Sequence, residues 1–213
     1  MRKLQGGRFD LIIRNVMIED VTSVSPKETV QQAYDLIQTK RHDCLPVMDG
    51  NHLVGIIQLT DIYEACMKDG RQTTLSKPVS EIMVKNPITI HPDAVIEEAA
   101  KIMRDKDIPF LPVVDEGKLV GVISESDLFD AFAELLGVDS GTARLTLVVP
   151  DVRGQLARIA EIIRDAGVSI THLATFRTVM DQYKIVVRVE TDVTKPLIEL
   201  LDQHGYKVIH STH

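Results

Sequence analysis

Two aspartates in this chain have similar surroundings. Asp61 closes the run Gly55-Ile-Ile-Gln58-Leu-Thr60-Asp61, and Asp127 closes Gly121-Val-Ile-Ser124-Glu-Ser126-Asp127. Each follows a short apolar stretch and opens one with helical spacing, so each marks a predicted strand-to-helix junction. Two kinds of chemistry suit a carboxylate there. In the first helical turn it opposes the helix dipole, stabilising the helix by about 0.3–1 kcal/mol. It can also accept hydrogen bonds from the vicinal hydroxyls of a sugar. A third polar group, Asp151, Gly154 and Gln155 with Ser169 further on, falls at a loop-to-helix entry. Free backbone N–H groups at such an entry can hold a carboxylate. The plainer reading is that Gly154 makes the turn and Asp151 assists the helix start.

Other chemistries find no support. A nucleophile, its base and an orienting group should gather in polar loops, and no such set is written here. There is no phosphate loop, no Gly-x-Gly-x-x-Gly and no His-Glu-x-x-His. Cys44 and Cys66 lie in apolar surroundings and read as buried thiols. The seven histidines are scattered, with His210 and His213 in the tail, so no metal site is expected. We expect no enzyme activity.

The net charge is −7 and aromatic residues are 4% of the chain, with no Trp. Nucleic-acid surfaces need a basic excess or stacking platforms, so no nucleic-acid partner is expected. No apolar run approaches the roughly 20 residues of a membrane helix, and the N-terminus makes a poor signal peptide. The expectation is a cytoplasmic protein without a membrane partner.

The elements around the two aspartates repeat. Shifted by 66 residues, the chain matches itself without a gap at 14 of the 50 positions between 16 and 65. Ordinary composition would match about one in sixteen. Met17 falls on Met83, Pro26 on Pro92, Leu45-Pro46-Val47 on Leu111-Pro112-Val113, Gly55 on Gly121 and Asp61 on Asp127. Each copy reads as strand, helix, strand, strand, helix. In the second copy these are 88–91, a helix carrying Val95, Ile96, Ala99, Ile102 and Met103, strands 110–114 and 119–124, and a helix over 125–136. That last helix should place Leu128, Phe129, Phe132 and Leu135 on one face. Two copies are too few for a solenoid, so they should close on each other as a pseudo-symmetric pair.

The last third is another module. Residues 145–149 read as a strand, 150–154 as a loop and 156–167 as a helix. An extended stretch follows over 168–176, then a half-buried strand from Tyr183 to Val189. A helix over 196–204 and a strand over 206–211 complete a βαββαβ order, a ferredoxin-like arrangement. The fold class is therefore α+β/α/β. The expected domains are 1–76 for the N-terminal segment and repeat one, 77–136 for repeat two, a linker at 137–142, and 143–213.

The repeated pattern of Pro, Ala-containing helix, Leu-Pro-Val-x-Asp, Leu-Val-Gly-x-Ile and Ser/Thr-Asp resembles the cystathionine-β-synthase (CBS) domain, in tandem. The stretch Asp151-x-x-Gly154-x-Leu156-x-x-Ile159, with Ala166-Gly-Val-Ser169-Ile after it, resembles an ACT domain. The combination is similar to the acetoin-utilisation AcuB-type proteins. The resemblance implies a regulatory protein linked to acetoin or acetate metabolism, paired as a homodimer and acting on an enzyme partner. No cofactor is required; an adenosine-containing ligand (AMP, ADP, ATP or S-adenosylmethionine) would enter the clefts of the CBS pair.

It further implies site residues. Thr89, Ser124, Ser126 and Asp127 would form the fuller adenosine site. Ser23, Thr60 and Asp61 would form the second, where Gln58 replaces the hydroxyl. Arg41 and His42 are the candidates for phosphate contacts, and Asp151, Gly154, Gln155 and Ser169 for an ACT effector site. Two alternatives stay open, a ligand-free dimeric scaffold for an enzyme complex and an amino-acid sensor acting through the ACT domain.

Overall fold

The computed structural model describes residues 11–40, 44–138, 140–178 and 182–212. The chain divides into two compact units, residues 1–129 and 130–213.

In the first unit a short helix, α1 (Ile13–Val16), precedes helix α2 (Val30–Lys40). Strands β1 (Cys44–Asp49) and β2 (His52–Gln58) follow, then helices α3 (Leu59–Asp69) and α4 (Arg71–Ser76). A two-residue strand, β3 (Val84–Lys85), leads into the second copy. That copy holds helix α5 (Ile96–Lys106), strands β4 (Phe110–Asp115) and β5 (Lys118–Ser124), and helix α6 (Glu125–Leu135). The unit boundary falls within α6. Both hairpins have the same register and a shift at the same place, between Val47 and Met48 and between Val113 and Val114.

The two copies close by exchanging their leading segments. Ile18, ahead of the first copy, pairs antiparallel with Val122 on β5 of the second. Reciprocally, β3 pairs with β2 of the first, Val84 opposite Ile56. The segments then continue to their own copies, where Val24 meets Val47 and Ile90 meets Val113 in parallel bridges. The extended piece expected over 88–91 reduces to that one bridge. Between the copies lies a small buried cluster of Cys44, Ile56, Phe110 and Val122. Cys44 and Phe110 are repeat equivalents, as are Ile56 and Val122, so the pseudo-symmetry axis runs through apolar contact. Burying such side chains contributes about 1.5–3 kcal/mol each for the larger ones.

Helix α6 departs from its expected apolar face. Leu128 is buried, but Phe129 is 71% exposed and Leu135 is exposed as well. Neighbouring helical residues are about 100° apart, and here the core takes Leu128 while Phe129 turns to the surface. Tyr63, the repeat equivalent of Phe129, is exposed in the same way.

The second unit contains strand β6 (Ala143–Pro150), helix α7 (Gln155–Asp165), strands β7 (Ile170–Arg177) and β8 (Gln182–Val189), helix α8 (Lys195–Gln203) and strand β9 (Val208–Thr212). The sheet order is β7-β8-β6-β9, as a ferredoxin-like βαββαβ chain requires. Leu145, Leu147 and Val149 of β6 and Ile185, Val187 and Val189 of β8 form the core with Ile159, Ile163, Leu197 and Leu201 of the helices. Among the described residues, no helix is long and apolar enough to cross a membrane.

Candidate functional site

A cleft of about 320 Å³ opens in the first unit. Such a volume is at the lower end of small-molecule pockets. Phe110, Val122, Cys44, Pro46 and Pro109 supply an apolar wall. Ser124, Glu125, Ser126 and Asp127, the end of β5 and the first turn of α6, supply a polar one. The third side is the exchanged segment, through Ile18, Asp20, Val21 and Thr22. A flat apolar ring fits the first wall, and hydroxyl-bearing groups fit the second.

Asp127 is held in place by its own helix start. Its Oδ2 accepts from the Ser124 backbone N–H at 2.8 Å and from the Ser124 hydroxyl at 2.6 Å. The Asp127 N–H in turn donates to the Ser124 hydroxyl oxygen at 3.4 Å. This is a reciprocal cap of the kind that stabilises helix entry by about 0.5–2 kcal/mol. Among the described residues the second oxygen, Oδ1, has no hydrogen bond from protein. The cap therefore orients the carboxylate without exhausting it.

Asp61 repeats the arrangement at the start of α3. Its Oδ2 accepts from the Gln58 N–H at 2.8 Å, within a capping box. The Thr60 hydroxyl lies 3.4 Å from the Gln58 side-chain oxygen. Burial pushes the Asp61 carboxyl above its ordinary range; the Gln58 N–H pulls it back and Glu64 adds to the rise.

The exchange of segments regroups the hydroxyls. From sequence, Thr89 belongs with Asp127 and Ser23 with Asp61. In the structure Thr22, the neighbour of Ser23, lines the Asp127 cleft, and Thr89 does not. Thr89 lies on the reciprocal segment, which starts against β2, the strand that leads to Asp61. Each leading segment crosses to the other copy before returning to its own, and sequence order hides that crossing. Thr22, Asp20 and Val21, with Glu125 at the start of α6, are among the lining residues that sequence reasoning passed over. Their signal was faint, because in the repeat alignment Thr22 faces Ile88 rather than another hydroxyl. Arg41 and His42 lie outside the described residues.

In the second unit the four ACT candidates do not converge. Gly154 sits at the N-cap of α7 with φ of +89°, a left-handed conformation suited to glycine. Asp151 forms an ion pair with Arg177 at 3.5 Å. Gln155 accepts a hydrogen bond from the buried Tyr206 hydroxyl at 2.8 Å. Ser169 stands elsewhere. Ile170, next to it, and Ala143 both pair with Val189, at one end of the sheet, whereas Pro150, next to Asp151, pairs with Gln182 at the other. Seven strand steps of about 3.3 Å separate those ends. Helix α7 returns the chain along the sheet, so β7 begins where β6 began. The expected grouping of Ser169 with Asp151, Gly154 and Gln155 is corrected accordingly. Among the described residues, no group of three or more His, Cys, Asp or Glu could hold a metal ion.

The strand-exchanged pair of repeats, each with a capped acidic strand-to-helix junction, defines a class, and comparison with known proteins agrees. The chain belongs to the CBS domain family: the family matches residues 13–68 and 79–134, together more than half the chain. An ACT domain matches residues 143–205. Among curated relatives, an inosine-5'-monophosphate dehydrogenase of Korarchaeum cryptofilum is 40% identical over 114 residues, 53% of this chain but 22% of the dehydrogenase. The chain thus spans about a fifth of that relative's length. The CBS domain-containing protein YhcV of Bacillus subtilis is 31% identical over 116 residues, 54% of this chain and 81% of YhcV.

Three solved structures share the fold at 25–26% identity. A Vibrio cholerae protein described as an acetoin utilization protein (AcuB) aligns over 61% of this chain and 95% of its own, with 25% identity and a TM-score of 0.55. The CBS domain pair of protein MJ0100, solved with 5'-methylthioadenosine and S-adenosyl-L-methionine, aligns over 58% of this chain and 96% of its own, with 26% identity and a TM-score of 0.53. CBSX2, solved with AMP, aligns over 58% and 96%, with 26% identity and a TM-score of 0.51.

Proposed function

We propose that this chain is a regulatory protein that senses an adenosine-containing metabolite in the cleft at the start of α6. The carrying observation is the cleft itself, in which an apolar wall of Phe110 and Val122 faces Ser124, Ser126 and Asp127. The purine lies against the apolar wall, and Asp127 accepts from the ribose hydroxyls through the oxygen its helix cap leaves over. The adenosine compounds held by MJ0100 and CBSX2 support the ligand class. Asp61, with Thr60, makes a second site by repeat symmetry, served by the segment that carries Thr89. To transmit anything, the ligand must bind one arrangement of the repeats better than another. The direct test is calorimetry with adenosine compounds on the full chain and on Asp127→Ala. Loss of binding in the variant is expected; unchanged affinity defeats the assignment.

The chain works as a cytoplasmic homodimer without catalysis of its own, domain limits lying near 76, 136 and 143. Exposed Tyr63, Met67 and Phe129 on the repeat helices support self-association. The output goes to an enzyme partner, and the similarity to the Vibrio cholerae protein supports a place in acetoin or acetate metabolism. A second reading, a ligand-free scaffold, is favoured by one observation: Asp127 already serves its helix as a cap. Silence from all adenosine compounds would select it.

A further inference from the structure

The cleft at the start of α6 carries a charge pattern beyond its shape. Asp20, Glu125 and Asp127 all line it, and among the described residues no Lys, Arg or His does. Asp20 and Glu125 are exposed and Asp127 is half-buried, so three carboxylates share the water-facing part of the cleft. The opposing field is the α6 N-terminus, worth about half a positive charge. Two of the three carboxylates, on Glu125 and Asp127, stand in that first turn and outweigh it.

With the ribose hydroxyls on Asp127, a charge on the 5' carbon stays within a Debye length, about 8 Å, of that acidic wall. A phosphate there meets like charges, and a cation meets opposite ones.

We infer that this cleft selects adenosine compounds whose 5' substituent is positively charged, a sulfonium in the first instance, over those carrying phosphate. The inference rests on the adenosine reading above and names the part of the ligand that reading leaves open. Asp127 serves the ribose; Asp20 and Glu125 set the sign of the 5' group.

Calorimetry on the full chain at low ionic strength tests it with three probes that differ at the 5' carbon: cationic S-adenosylmethionine, neutral 5'-methylthioadenosine and anionic AMP. The expected order is cation, neutral, anion, with AMP at least about tenfold weaker than S-adenosylmethionine. In Asp20→Asn/Glu125→Gln the gap between those two shrinks about tenfold, each affinity being taken relative to the neutral probe in the same variant. AMP binding as tightly as the neutral probe, or a gap unmoved in the double variant, overturns the inference and leaves the adenosine reading standing. If the variant loses the neutral probe, the order in the unmodified chain alone decides. If no probe binds the unmodified chain, the adenosine reading itself fails, and this inference with it.

Discussion

A Cβ placed on Gly121 would stand 2.6 Å from the sulfur of Met17 and 3.0 Å from the Ile18 carbonyl oxygen. The same relationship recurs one repeat earlier. A Cβ on Gly55 would stand 2.7 Å from the Met83 sulfur and 2.8 Å from the Val84 carbonyl oxygen. The two glycines are thus the places where the exchanged segments lie flat against the strands that receive them. Real Cβ atoms essentially never approach so closely, and the backbone cannot move aside as a methionine sulfur can.

Gly55→Ala should therefore destabilise the fold by about 1–3 kcal/mol, a typical overpacking cost. Gly121→Ala should cost less, because its backbone neighbour is farther away. Adding Met83→Ala to Gly55→Ala should not restore stability, since the Val84 oxygen remains. Thermal or urea unfolding of the three variants checks the order. Equal stability of Gly55→Ala and the unmodified chain would show that the segment does not pair as described.

At the α6 cleft, structure and binding can be separated. Asp127→Asn keeps an oxygen for the Ser124 N–H but gives up the charge that a ribose diol favours. Asp127→Ala gives up both and should lose about 0.5–2 kcal/mol of stability through the missing cap. The expected result is weakened adenosine binding in both, with a larger fall in melting temperature for Asp127→Ala. Asp127→Asn binding at full strength would mean that the carboxylate serves the helix alone.

Asp61 predicts a pH dependence. Burial raises its carboxyl above the ordinary value, with Glu64 adding to the rise and the Gln58 N–H opposing it. The folded state therefore holds this proton more tightly than the unfolded chain. The stability linked to it is fully present below the ordinary carboxylate range and is lost as pH rises through the raised folded value. Measured against Asp61→Asn, the unmodified chain should lose ground as pH rises out of the ordinary aspartate range, about pH 4. A melting-temperature difference that stays flat, or moves the other way, contradicts this.

In the second unit, Tyr206→Phe removes the donor to Gln155, an interaction 51 residues apart in sequence. The expected cost is about 0.5–1.5 kcal/mol, the net worth of one such hydrogen bond. Adenosine affinity should not change. A variant as stable as the original would show that Gln155 finds water equally well, and a change in adenosine affinity would reveal coupling between the units.

How much was legible beforehand depends on the range of the interaction. Helices α5 and α7 and both hairpins follow from apolar spacing and turn residues within a dozen positions, and the chain showed its duplication by self-comparison. Cap chemistry is equally local, so Asp61 and Asp127 were found at their helix starts without coordinates. What tertiary structure decided is which distant pieces meet. The crossing of segment 18–24 to β5 brings Thr22 to Asp127, because unpaired strand edges in each copy are satisfied by the other's leading segment. The return of the chain along α7 parts Ser169 from Asp151, because β6 and β7 run the same way with β8 between them. The exposure of Phe129 follows from Leu128 taking the core position beside it. Local pattern, set by backbone geometry, was readable in one dimension; the pairing of edges and the choice of buried face are settled only when the copies close.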